Sequence, residues 1–351
     1  MMRAAVLRAG TFVVDEVPEP VPGPGQVLVE TLATGICGSD LSAYRHTDAF
    51  LKASHDSGTT SFVFDPEADL VMGHELCARV IGPGEWEGRT VVGLPWALDG
   101  AGVLRTIGYA NDYPGGFGSR MVMQTAALVE VPEHVAPPVA ALTEPLAVGF
   151  GNVARTDLPT GSGALVLGAG PIGLGATAAL VERGVGPVIV SEPSPRRREL
   201  AARFGAHTVV DPGVRDPFDA WREAAEPGQA LTVLECSGKA GMLEEILLRA
   251  PRETTVLLIG ACMTEDTFRP VVGIYKDITV KMCLAYPPEE YARTLRRIAD
   301  GRIDAAALIT GEVGFGGVAA AIDTLGAPDD HIKVLVRPEL PGRAIHPPAV
   351  P

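Results

Sequence analysis

No apolar run in this 351-residue chain is long enough to cross a membrane, and its five cysteines (Cys37, Cys77, Cys236, Cys262, Cys283) include no C-x-x-C pair. The first absence argues against an integral membrane protein. The second, with an odd count, argues against a disulfide framework and against a four-cysteine zinc knuckle. A secretory leader is not expected, because the stretch between Arg3 and Arg8 is too short for its apolar core. A soluble, cytoplasmic protein is the expectation. Basic residues are also scarce: 29 Lys and Arg against 43 Asp and Glu leave a net charge of -14. Beyond Arg196–Arg198 there is no basic run, so a phosphate backbone would be repelled and nucleic acid is not an expected partner.

What is present is an apolar content of 46%, ordinary for a globular chain and too high for a disordered one. The length favours two domains. Up to about residue 147 the chain is rich in Gly and Pro, with short β-branched runs at Gln26–Glu30, Arg89–Gly93 and Arg120–Met123, which reads as a β-rich domain. From Gly163 apolar strands alternate with helix-like stretches: GALVLG, PIGLGATAALVERG, PVIVSE, PRRRELAARFGA and HTVVD. That alternation predicts βαβ units on a parallel sheet, an α/β doubly wound domain over 148–286 in which ITVKMCLA is the edge strand. A helix is expected at Pro288–Gly301, and HIKVLVRP reads as a strand, so 287–351 is expected to return to the first domain before a Pro-rich tail.

Gly168, Gly170 and Gly173 form G-x-G-x-x-G directly after the strand ALVL and at the mouth of a helix. This pattern suits a dinucleotide: one glycine for the turn, one for close approach of a pyrophosphate, one for helix–strand packing. Pro171 and Ile172 lie within the same loop. The next strand ends at Glu192, near the spacing at which a carboxylate meets the adenine ribose. Its charge would repel a 2′-phosphate, so NAD is expected over NADP, with Arg197 in the basic run as the feature that keeps NADP open. Val148 completes the expected cofactor-binding set.

Three fragments of the first domain stand out: GICGSD at Gly35–Asp40, GHE at Gly73–Glu75 and TEPLAVG at Thr143–Gly149. With the glycine fingerprint, KDITV at Lys276–Val280 and the closing IKVLV, they resemble the medium-chain dehydrogenase/reductase superfamily in its zinc-dependent alcohol and polyol dehydrogenase branch. The resemblance implies a Rossmann domain beside a GroES-like catalytic domain, one catalytic zinc, a small alcohol or ketone as substrate, and a homodimer or homotetramer. It makes Cys37 and His74 direct ligands and puts Glu144 where the polyol branch has a glutamate. Glu75 would be a ligand able to bind or withdraw. The residue types suit the metal, since zinc accepts thiolate, imidazole and carboxylate and keeps one position open in catalytic sites.

Asp40 would accept a hydrogen bond from the far ring nitrogen of His74. Ser39 would take the alcohol proton and pass it to the nicotinamide ribose while a hydride leaves the carbinol carbon for the nicotinamide. The chain departs from the family in places. Leu94–Gly118, where relatives carry four cysteines for a structural zinc, has none. Ser42 stands where relatives often have a relay histidine, with His46 and His55 as candidate substitutes. The segment from about Arg45 to Leu70 is long and reads as a pocket wall or a surface loop. Phe117, Trp96, Tyr44 and Tyr109 are candidate pocket aromatics. The alternatives are a zinc-free NADPH-dependent quinone or enone reductase, and a catalytically silent NAD-binding protein.

Overall fold

A computed structural model describes residues 1–326 and 331–349. The chain forms two compact units: residues 1–144 with 291–351, and residues 145–290. The divisions fall in the first turns of helices Thr143–Ala154 and Pro288–Ala299, whereas the sequence reading placed them at 147/148 and 286/287.

The second unit is a six-stranded parallel sheet. From one edge to the other the strands are Thr208–Val210, Val188–Ser191, Gly163–Leu167, Leu231–Glu235, Thr255–Leu258 and Thr279–Met282. Gly163–Leu167 comes first in sequence yet lies in the middle, so the order reverses beside it; such a switch point is where doubly wound sheets bind ligands. Its five residues are all buried, as helices on both faces require. Leu165, Ile189, Val233, Val256, Phe218 and Trp221 form one core cluster, each contributing roughly 1.5–3 kcal/mol on burial. All four residues of the edge strand Thr279–Met282 are exposed.

The first unit is built on a seven-stranded sheet. Its main path runs Ile309–Val313, Lys333–Val336, Gln26–Gly35, Glu75–Val80, Thr90–Gly93 and Leu128–Glu130, with Arg120–Gln124 paired to the first half of Gln26–Gly35. Lys333–Val336 thus brings the end of the chain back beside the N-terminal part, pairing Leu335 with Gly35 and Val336 with Thr34. The terminal segment docks there too, through a bridge between Glu312 and His346. The stretch 94–118 is tied by a hairpin, Trp96–Leu98 with Leu104–Thr106, whose turn is gathered by Asp99. That carboxylate accepts from Ala101 N, Val103 N and Arg105 Nε.

Residues 45–70 include the helix Thr47–Ser57 and are fastened to the 94–118 stretch. Thr106 N donates to Ser61 O, and Asn111 bonds Asp65 and Asp69. Phe50 and Phe62 pack on Tyr109, so the segment forms a wall beside the residues described next. Among the described residues no helix is long and apolar enough to cross a membrane.

Candidate active site

Three strand ends converge in the first unit. Gln26–Gly35 runs out into Ile36 and Cys37, and its antiparallel neighbour begins at Glu75, immediately after His74, so pairing of Gly35 with Glu75 brings cysteine and histidine together. Gly35 is required there: a Cβ would lie 2.0 Å from Glu75 Oε2. Ile36 N also donates to Val334 O, which aligns Lys333 with the same ends. The side-chain donors of Cys37, His74 and Glu75 close to within 4.8 Å of one another, the only such group among the described residues.

Cys37 caps the helix Gly38–Arg45, whose third residue, Asp40, accepts from Cys37 N at 2.9 Å. The other Asp40 oxygen accepts from the Tyr109 hydroxyl at 2.9 Å and stands 3.5 Å from His74 Nδ1, an ion-pair distance at which that buried nitrogen makes no hydrogen bond. His74 Nε2 lies 3.5 Å from Ser39 Oγ. Burial opposes charge on the imidazole, but anionic Asp40 and Cys37 outweigh it and hold the His74 pKa well above its usual value. The pocket therefore favours a cation, and its donors suit zinc: a thiolate, an imidazole and carboxylates.

Glu75 is fully buried, and both its oxygens accept from Lys333 Nζ, at 2.8 and 2.7 Å. Lys333 also donates to Ile36 O at 2.9 Å. Burial disfavours the ammonium, yet the facing Glu75 outweighs this and raises its pKa. Glu144 is buried in the first turn of Thr143–Ala154 and is not a member of the group that closes within 4.8 Å. Its charge does act on the Tyr291 hydroxyl, as does that of Glu75. Cys77, on the strand that starts at Glu75, is a different kind of thiol: burial pushes it up to about 12.

In the second unit the glycine turn sits at the end of the central strand. Gly168 has φ +98°; a Cβ at Gly170 would meet open space; a Cβ at Gly173 would lie 1.9 Å from Gly168 O. Turn, approach and packing are thus divided among the three glycines, and the helix Pro171–Glu182 opens with Pro171 and Ile172 in its first turn. Glu192 is buried and bound to this turn, accepting from Ala169 N at 2.7 Å and Ser194 N at 2.9 Å. A carboxylate keeps further lone pairs for a ribose hydroxyl. Arg198 holds the backbone around Glu192, donating to its carbonyl at 2.9 Å and pairing with Asp211. Arg197 and Val148 are both half-buried, on the helices Pro195–Arg203 and Thr143–Ala154.

One residue of the first unit is missing from the sequence analysis: Lys333, whose signal is a lysine inside the apolar run IKVLV, because a buried lysine needs a partner. Tyr109, a candidate pocket aromatic, is buried, with its hydroxyl on Asp40 and Ser39. Phe117 is likewise core. His46 and His55 are exposed, and His55 faces Asp56.

A doubly wound sheet with this turn, in a chain that also gathers thiol, imidazole and carboxylate beside a serine, defines a nicotinamide-dependent dehydrogenase of the metal-assisted kind. Residues 23–133 match the family described as "Alcohol dehydrogenase GroES-like domain", and 171–300 the family described as "Zinc-binding dehydrogenase". The chain is 33% identical over 270 residues to the L-threonine 3-dehydrogenase of Thermococcus kodakarensis, covering 72% of this chain and 73% of that one. Among solved structures, 2R,3R-butanediol dehydrogenase from Bacillus subtilis superposes with a TM-score of 0.79 at 25% identity, over 97% of this chain and 100% of the other. A zinc-binding dehydrogenase structure from Sinorhizobium meliloti 1021, bound to NADP, does so with 0.77 at 26% identity, over 96% and 99%. The chain belongs to the medium-chain dehydrogenase/reductase superfamily, in its zinc-type alcohol and polyol dehydrogenase branch. It is an oxidoreductase that interconverts alcohols and ketones or aldehydes with NAD(P).

Proposed function

We propose that the protein oxidises a secondary alcohol or polyol with NAD, using one zinc per chain held by Cys37, His74 and Glu144. The observation that carries this reading is the closure of Cys37 and His74 at the strand ends, with Asp40 and Ser39 at the two ring nitrogens of His74. Zinc, when bound, supplies a Lewis acid that acidifies an alcohol beside it. The Ser39 oxygen accepts the hydrogen bond of that alcohol, and Asp40 holds the His74 ring in orientation. Glu75 is assigned a reserve role, because Lys333 already balances its charge. Gly168, Gly170, Pro171, Ile172 and Gly173 hold the pyrophosphate, Glu192 the adenine ribose, and Val148 and Arg197 border the cofactor. Glu192 is the reason for preferring NAD, since its charge opposes a 2′-phosphate.

Relatives named for L-threonine and 2R,3R-butanediol, both secondary alcohols, support that substrate class. The open edge strand Thr279–Met282, with Ile274, Tyr275 and Leu284 also exposed, supports a homodimer or homotetramer joined there. Five free thiols suit the reducing cytoplasm.

The test is metal content of the wild type and Cys37→Ala, with reduction of NAD and of NADP followed across a panel of secondary alcohols and polyols. About one zinc per chain is expected, lost in the variant together with activity, and NAD is expected to be the better acceptor. A metal-free wild type whose activity survives Cys37→Ala would sink the reading.

A further inference from the structure

The Tyr109 hydroxyl has two polar neighbours and a single proton. It lies 2.9 Å from Asp40 Oδ1 and 2.9 Å from Ser39 Oγ. A carboxylate can only accept, so the tyrosine proton goes to Asp40. The contact with Ser39 must then be made by the serine proton, donated to the tyrosine oxygen. This leaves Ser39 with lone pairs alone for anything in front of it. The tyrosine ring is fixed from three sides: Phe50 stacks on it at 5.5 Å and 25°, Phe62 meets it edge-on at 5.5 Å, and the His74 ring lies 5.2 Å away. Tyr109 is only 1% exposed, so water does not compete for its hydroxyl.

We propose that Tyr109 is a positioning residue that sets the direction of the hydrogen bonds at this site. It holds Ser39 as a pure acceptor and anchors the Asp40 oxygen that faces His74. The inference rests on the metal-site reading above and goes beyond it, because it assigns to a residue outside the metal-ligand set the orientation of the group that accepts the alcohol's hydrogen bond. Asp40 then works on two fronts: one oxygen is held by Cys37 N, which places the thiol, and the other by Tyr109, which places the carboxylate against the histidine.

The test uses Tyr109→Phe, which removes the hydroxyl and keeps the ring, beside Phe50→Leu, which loosens the same aromatic cluster and leaves every hydrogen bond in place. Zinc affinity is measured by chelator competition, and the visible spectrum of the Co2+-loaded protein reports ligand geometry. Removal of such supporting partners typically weakens metal affinity about 10–100-fold. Tyr109→Phe is expected to weaken zinc by at least about tenfold and to shift the cobalt bands, with Phe50→Leu within about twofold of wild type. At saturating zinc, oxidation of 2,3-butanediol by Tyr109→Phe should lose kcat by roughly tenfold or more with KM little changed, as for a misdirected hydrogen-bond acceptor that acts in the transition state. Wild-type affinity, spectrum and kcat in Tyr109→Phe would overturn the proposal, as would equal changes in Phe50→Leu, which would make the tyrosine a packing residue. A wild type that binds neither Zn2+ nor Co2+ would instead bring down the metal-site reading and this inference with it, a result distinct from intact metal binding in both variants.

Discussion

Replacing Lys333 by Met keeps an unbranched side chain one atom shorter and removes its charge from a place where water cannot take over. Glu75 has no solvent exposure and Lys333 only 3%, and the ammonium makes three bonds, to both Glu75 oxygens and to Ile36 O. Without it a carboxylate is left in the interior with no counter-ion. Breaking a buried pair in this way costs about 3–5 kcal/mol, whereas replacing both partners by neutral groups is often close to neutral. Urea unfolding of the zinc-free protein should therefore show Lys333→Met less stable by about 3–5 kcal/mol. For a unit of about 200 residues the corresponding fall in Tm is roughly 6–20 °C. The double variant Glu75→Gln/Lys333→Met should recover most of the loss. Zinc is kept out because a released Glu75 could turn to the metal and mask the effect. A loss below about 1 kcal/mol in Lys333→Met, or a double variant no more stable than the single one, would refute the account of a mutually dependent pair.

Two further outcomes follow from the same geometry. The Cys77 thiol is pushed up to about 12 from an ordinary 9.0 by burial, so the folded state resists ionisation that the unfolded chain undergoes. Its contribution is fully present below pH 9 and is lost as pH rises toward 12, at about 1.4 kcal/mol per pH unit; stability against pH in that window should be flatter for Cys77→Ala, and an equal slope would contradict the assignment. A methyl group at Gly173 would lie 1.9 Å from Gly168 O, so Gly173→Ala should open the turn, raise the Kd for NAD at least about tenfold and leave zinc content unchanged. Unaltered NAD binding by fluorescence titration would show that the turn tolerates the change.

The sequence by itself determined the Rossmann half. GALVLG, PVIVSE and the G-x-G-x-x-G between them carry their structure locally, because short buried strands of five and four residues and a turn built on glycine leave few other folds. It also offers Cys37, Ser39, Asp40, His74, Glu75 and Glu144 as candidates for the chemistry, through residue types in a familiar order. Only the tertiary structure decided how they are used. That Gly35 pairs with Glu75 and Leu335 with Gly35 is a matter of strand register, and register brings a lysine 258 residues away onto Glu75. Tyr109 belongs to a stretch with no motif at all, and its hydroxyl reaches Asp40 because the aromatic side chains of the 45–70 segment close over it. Local pattern specifies which elements form, since propensity and periodicity act over a few residues. Which carboxylate is neutralised, and which way a hydroxyl proton points, depends on partners distant in sequence, and only the folded chain brings those within 3 Å.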